Sequence, residues 1–166
     1  MSLQLEATED TPYVDLNENG IIRIEGRSLP ENVSLFYTPL IEWANNYVKE
    51  PAEETHIRIF LTYYNSSSFK CISEFLFKLR EAQPNTRFKV EWIYEEDDLS
   101  IYETGKELEE QLEISFQIIE EPIKVKKNRK LTVKNLKSGR VLKITARYWN
   151  LIVRNGHSKD FEIMDG

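Results

Sequence analysis

The chain switches repeatedly between two hydrophobic periods, and this alternation limits its fold more than any other feature. Residues 57–64, IRIFLTYY, are apolar or aromatic at most positions, as in a strand. From Ser66 the spacing lengthens, and Phe69, Ile72, Phe75, Leu76 and Leu79 form one stripe of a helix ending near Gln83-Pro84. FKVEWIY (88–94) returns to a two-residue period, with Phe88, Val90, Trp92 and Tyr94 on one face. Ile101, Gly105, Leu108 and Leu112 mark a further helix, and ISFQII (114–119) a last strand. Strands joined through helices run parallel, by right-handed crossovers. Upstream, Thr11–Leu16 and Ile21–Glu25 read as a hairpin around Asn17-Glu18-Asn19-Gly20. Pro30-Glu31 then opens a helical pattern through Val33, Phe36, Leu40, Trp43, Ala44 and Tyr47, which Pro39 is expected to kink or divide. The order ββαβαβαβ predicts an α/β protein with helices packed on a sheet, and residues 57–64 read as a strand covered on both faces.

Charge divides the chain where the alternation stops. Residues 1–120 hold 10 Lys+Arg against 24 Asp+Glu, a net of −14, whereas residues 121–166 hold 12 against 4, a net of +8. The expected organisation is therefore an acidic domain over 1–121 and a basic extension over 122–166. In the extension, Lys130–Leu136, Arg140–Trp149, Leu151–Arg154 and Phe161–Met164 read as β, with turns at Lys137-Ser138-Gly139 and Asn155-Gly156. So short a segment struggles to fold alone, and it is expected to pack on the acidic domain. Cys71 is the single cysteine, which rules out an intramolecular disulfide. With no basic-then-apolar leader in MSLQLEATEDTP and no run long enough to span a membrane, a soluble, cytoplasmic protein is expected.

The junction TYYNSSSFKC (62–71) is the first candidate site. Functional residues of open α/β sheets gather at the carboxyl ends of parallel strands, and a helix N-terminus there suits a phosphate. Asn65 or Ser66 as a plain helix cap explains part of this stretch, but three hydroxyls exceed what a cap needs. Asn65-Ser66-Ser67 also fits a glycosylation sequon, which has meaning only on a secretory route. Glu95-Glu96-Asp97-Asp98 follows the neighbouring strand and admits several readings: a docking surface or a repeller of phosphate, an acid/base pair or metal site, or a solvated loop capping the next helix. Composition favours the loop. The cluster of Tyr63, Tyr64, Phe69, Trp92 and Tyr94 reads as core, with Tyr64 able to show at the strand end. His56 and His157 lie in no zinc or triad pattern, so neither a metal, a cofactor nor catalysis is expected.

The stretches TEDTPYVDLNENGIIRIEGRSLPENVSLFYTPLIEW (8–43), YYNSSSFKC (63–71), VEWIYEEDD (90–98) and ETGKELEE (103–110) resemble the SiaC family of bacterial regulatory phosphoproteins. The resemblance spans about residues 6–121 and rests on the GRSLPE, N-S-S-S and W-I-Y-E-E-D-D blocks in combination. It implies a STAS-like fold, akin to anti-sigma-factor antagonists. It also implies phosphorylation by a partner kinase at Ser66, where the best-known members have Thr, reversed by a PP2C-type phosphatase. Known members in the dephosphorylated form bind and activate a diguanylate cyclase. On this reading Asn65 caps or orients the loop, Lys70 pairs with the phosphate, Tyr64 supports the site, and Ser67 and Ser68 are backup acceptors. Glu95, Glu96, Asp97 and Asp98 shape the docking surface.

Two other functions stay open. One is a STAS-type antagonist in sigma-factor partner switching, using the same serine with another output. The other is nucleic-acid binding through Lys124, Lys126, Lys127, Arg129, Lys130 and Lys134, with Tyr148 and Trp149 stacking on bases. The acidic domain opposes the second by long-range repulsion.

Overall fold

The computed structural model describes residues 2–96, 98–122, 130–145, 148–149, 152 and 157–164. They divide into two units, Met1–Pro122 and Ile123–Gly166.

In the first unit a six-stranded sheet runs in the order β1-β2-β3-β4-β5-β6. Its strands are β1 (Leu3–Leu5), β2 (Tyr13–Leu16), β3 (Ile21–Ser28), β4 (Glu54–Tyr64), β5 (Arg87–Glu95) and β6 (Phe116–Glu121). The hairpin forms as expected: Asn17 N–H donates to Ile21 O and Gly20 takes φ +88°, where a Cβ would collide with the Glu54 carbonyl. β1, too short to show a period, joins β2 antiparallel at the edge. β3, β4, β5 and β6 are parallel neighbours, as helical crossovers require. The crossovers are α1 (Val33–Tyr47), α2 (Ser66–Arg80) and α3 (Leu99–Leu112).

Successive crossovers advance in one direction, so their common hand lays all three helices on one face; α1 packs on α2 and α2 on α3. This corrects the expectation for residues 57–64. Along β4 Thr55, Ile57, Ile59 and Leu61 are buried, whereas His56, Arg58 and Phe60 between them are only half-buried. The strand is covered on one face. On the other face Arg58 lies 2.9 Å from both Glu25 and Glu91. The core lies between sheet and helices and includes Ile22, Ile24, Tyr37, Leu40, Ile59, Leu61, Ile72, Phe75, Leu79 and Trp92.

α1 also departs from expectation, because Pro39 lies inside it without dividing it. Pro39 is exposed, so water can satisfy the carbonyl that the missing N–H leaves unpaired, and the buried stripe of Tyr37, Leu40, Trp43, Ala44 and Tyr47 holds the helix together.

In the second unit β7 (Lys130–Asn135) is the centre of a three-stranded antiparallel sheet, between β8 (Val141–Thr145) and β9 (Phe161–Met164). The expected turn forms, with Asn135 Oδ1 accepting from the Lys137 and Ser138 amides and Gly139 at φ +68°. The β reading of Arg140–Trp149 is too long: the strand ends at Thr145, and Tyr148 and Trp149 are helical. Trp149 meets Phe161 edge to face, ring centroids 6.5 Å apart. Lys124, Lys126, Lys127, Arg129, the Asn155-Gly156 turn and most of Leu151–Arg154 lie outside the described residues; Ile152 is helical rather than extended.

Candidate functional site at the carboxyl edge of the sheet

Because β3 to β6 are parallel, the residues following β4 and β5 share one edge. The end of β4 runs directly into α2, and Asn65 is its cap: Asn65 Oδ1 accepts from the Ser68 amide at 2.7 Å. With the cap supplied by Asn65, the Ser66 and Ser67 hydroxyls are free of that duty, and both residues are exposed. Ser68 differs. Its side chain is fully buried, turned toward Tyr37, whose hydroxyl bonds Ser28 Oγ at 2.6 Å. Ser68 Oγ itself has no well-formed hydrogen bond. Burial, outweighing the Ser28 bond, pushes the Tyr37 hydroxyl up to about 12. A backup acceptor must be reachable by a kinase, so the structure removes Ser68 from that role. Lys70, one turn after Ser66, is exposed.

The two tyrosines exchange the roles expected of them. Between Gly26 and Arg27 the β3–β4 register slips, so that Leu61 opposes Gly26 but Tyr63 opposes Arg27. One extra residue, Thr62, reverses the facing of all that follow. Tyr63 therefore turns out, 45% exposed, with the Arg27 guanidinium 4.5 Å over its ring. Tyr64 turns in, stacks on Phe69 and bonds Thr104 through its hydroxyl at 2.8 Å. Burial, aided by the carboxylates of Asp98 and Glu107, raises its pKa against the lowering effect of Thr104. Gly26, at φ +114°, supplies the backbone for the slip.

On the neighbouring strand Glu95 ends β5, and the Glu96 amide donates to Glu121 O at 2.8 Å. Asp98 caps α3, Oδ1 accepting from the Ile101 amide at 3.3 Å; Asp97 lies outside the described residues. The same edge holds features not singled out in the sequence. Leu35 in the first turn of α1 and Leu99 at the start of α3 are mostly exposed. Their signal was present, because each is a leucine that lies off its helix's buried stripe.

Away from the edge, burial and then Glu74 push the Cys71 thiol up, which keeps it protonated. Among the described residues no group of three His, Cys, Asp or Glu could hold a metal ion, and no helix is long and apolar enough to cross a membrane. A groove of about 440 Å³ lies between α1 and the β1 end of the sheet, lined by Leu3, Pro39, Trp43 and Tyr47 among others, apart from the serine-bearing edge.

The SiaC family regulatory phosphoproteins match this chain over residues 5–121. The chain belongs to the SiaC family. A Pseudomonas aeruginosa protein (strain UCBPP-PA14) described only as uncharacterized is 25% identical over 118 residues, covering 70% of this chain and 94% of that protein. The crystal structure of apo-SiaC from Pseudomonas aeruginosa is 25% identical, with a TM-score of 0.61 over 72% of this chain and 98% of that one. SiaC of the same organism, in a crystal structure with the diguanylate cyclase SiaD that it activates, is 24% identical, with a TM-score of 0.66 over 72% of this chain and 99% of that one. The SiaC match ends at residue 121, where the acidic unit ends and the second unit is about to begin.

Proposed function

We propose that this chain is a non-catalytic signalling switch. Its unphosphorylated form binds and regulates a partner enzyme such as a diguanylate cyclase; a partner kinase phosphorylates Ser66, and a PP2C-type phosphatase reverses it. The observation that carries this reading is the division of labour at α2: Asn65 caps the helix, Ser68 is buried, and Ser66 stands exposed as the first residue of the helix. Family membership and the solved complex of SiaC with its cyclase support the choice of partner.

Magnitudes indicate how the switch works. A phosphate adds about −1.5 to −2 charges. At the start of α2 it gains roughly 0.3–1 kcal/mol from the helix terminus, and an exposed pair with Lys70 adds about 0–1 kcal/mol. These gains accommodate the group without refolding the domain. Burying the same charge unpaired against a partner costs several kcal/mol, on the order of 3–5. That cost exceeds both gains together, so phosphorylation blocks docking.

The test uses tagged full-length Ser66→Ala and Ser66→Glu proteins as baits in the native cell, with captured proteins identified by mass spectrometry. A diguanylate cyclase held by the Ala form and released by the Glu form is the expected result. Equal capture by both forms would contradict the switch. Capture of an anti-sigma kinase in place of a cyclase would keep the serine and change the output.

A further inference from the structure

The edge that carries Ser66 also displays three large side chains that the core leaves uncovered. Leu35 is 75% exposed, Leu99 67% and Tyr63 45%. A single exposed leucine needs no explanation. Three large side chains on one edge, one of them turned outward by a bulge, do.

Their placement follows from topology. Leu35 is in the first turn of α1, Ser66 and Ser67 in the first turn of α2, and Leu99 in that of α3. First-turn side chains lean toward the N-terminus of their helix, so all four lean over the same edge. Adjacent helices pack about 8–10 Å apart, which sets Leu35 and Leu99 on the order of 20 Å apart with the serines between them. Tyr63 precedes α2 at the same edge but turns to the helix-free face of the sheet, its ring held by Arg27. The edge is acidic on its β5–α3 side, where Glu95, Glu96 and Asp98 cluster and where Asp98 and Glu107 raise the Tyr64 pKa.

We propose that this edge docks one apolar, basic segment of the regulated cyclase. Its apolar residues seat on Leu35 and Leu99, on either side of the serines, and its basic residues face Glu95, Glu96 and Asp98. A helix of about 13 residues spans the row at 1.5 Å per residue. The inference rests on the switch reading above and adds to it the anchors. It explains why Ser66 is an effective place for a phosphate: the charge enters the middle of an apolar row rather than its rim.

The test measures binding of full-length protein to the purified diguanylate cyclase recovered with the Ser66→Ala bait. Leu35→Glu and Leu99→Glu place an acid in a helix's first turn, which the helix dipole favours, so both variants should melt with wild type. Each is expected to weaken binding by about tenfold or more, as loss of a central anchor does. Glu53→Lys, at the opposite edge, should bind as wild type. If both glutamate variants bind as wild type while Ser66→Glu still fails to bind, the anchors are wrong and the switch stands. If unphosphorylated wild type and Ser66→Ala recover no cyclase, the switch reading itself fails and this inference with it.

Discussion

Three consecutive serines have three different surroundings. Ser66 and Ser67 project from the first turn of α2 into solvent, whereas Ser68, on the inner side of that turn, faces Tyr37. Sequence could locate the cap but could not rank the hydroxyls, because the ranking depends on α1 packing against α2. Asn65→Ala removes the bond to the Ser68 amide and is expected to cost about 1 kcal/mol in denaturant unfolding. Ser66→Ala, by contrast, should stay within about 0.5 kcal/mol of wild type. On the helix-free face of the sheet, burial pushes the Glu91 pKa up, but the hydrogen bond from Arg58 and the nearby His56 outweigh it and the net shift is downward. His56 Nε2 lies 3.2 Å from Glu91 Oε1, close but off the alignment of a hydrogen bond. A carboxylate depressed in the folded state contributes stability above its ordinary pKa of 4.5 and loses it as pH falls through the folded value. Wild type should therefore lose stability on acidification below about pH 4.5, and Glu91→Gln should lose less over the same window. Equal acid sensitivity of the two proteins would show that Glu91 is not the source of this stability.

At the scale of elements, β-α alternation was legible because each helix presents a clear buried stripe. What escaped were features set by neighbours. Residues 57–64 read as apolar or aromatic at most positions, yet only alternate residues face helices. A one-residue slip against β3, invisible in the sequence of β4 alone, decides that Tyr63 and not Tyr64 shows at the edge. Pro39 looked like a breaker, but on the exposed side of a well-packed helix it is tolerated. Gly105 was read correctly as part of the α3 stripe, and the structure supplies its reason. A Cβ there would stand 2.6 Å from Trp92 Nε1, which donates to Ile101 O at 2.8 Å. Gly105→Ala gains about 1 kcal/mol of helix propensity and forfeits about 1–3 kcal/mol to overpacking. Displacement of Trp92 also strains its hydrogen bond, so a net loss of stability with altered Trp fluorescence is expected. A stabilised variant would show that α3 can shift to admit the methyl.

For the whole molecule, the parallel run of the later strands and the charge boundary were both readable, because β-α alternation and composition are properties of the chain itself. The use of a single helical face was not, since it depends on the crossovers all advancing in one direction. The SiaC relatives are covered almost entirely by a match that takes in only about 72% of this chain. Residues 1–122 are therefore expected to fold alone in one cooperative transition, with the net charge moving from −6 to −15 as the basic extension is lost. Failure of this fragment to fold would make the extension part of the core. Whether Ser66 is the switch is decided most directly by intact-mass measurement and phosphosite mapping on protein purified from its native cell across growth conditions. A reversible singly phosphorylated species with the phosphate on Ser66 is the expected outcome. A chain that carries no phosphate under any condition would overturn the switch and return Ser66 to an ordinary first-turn residue.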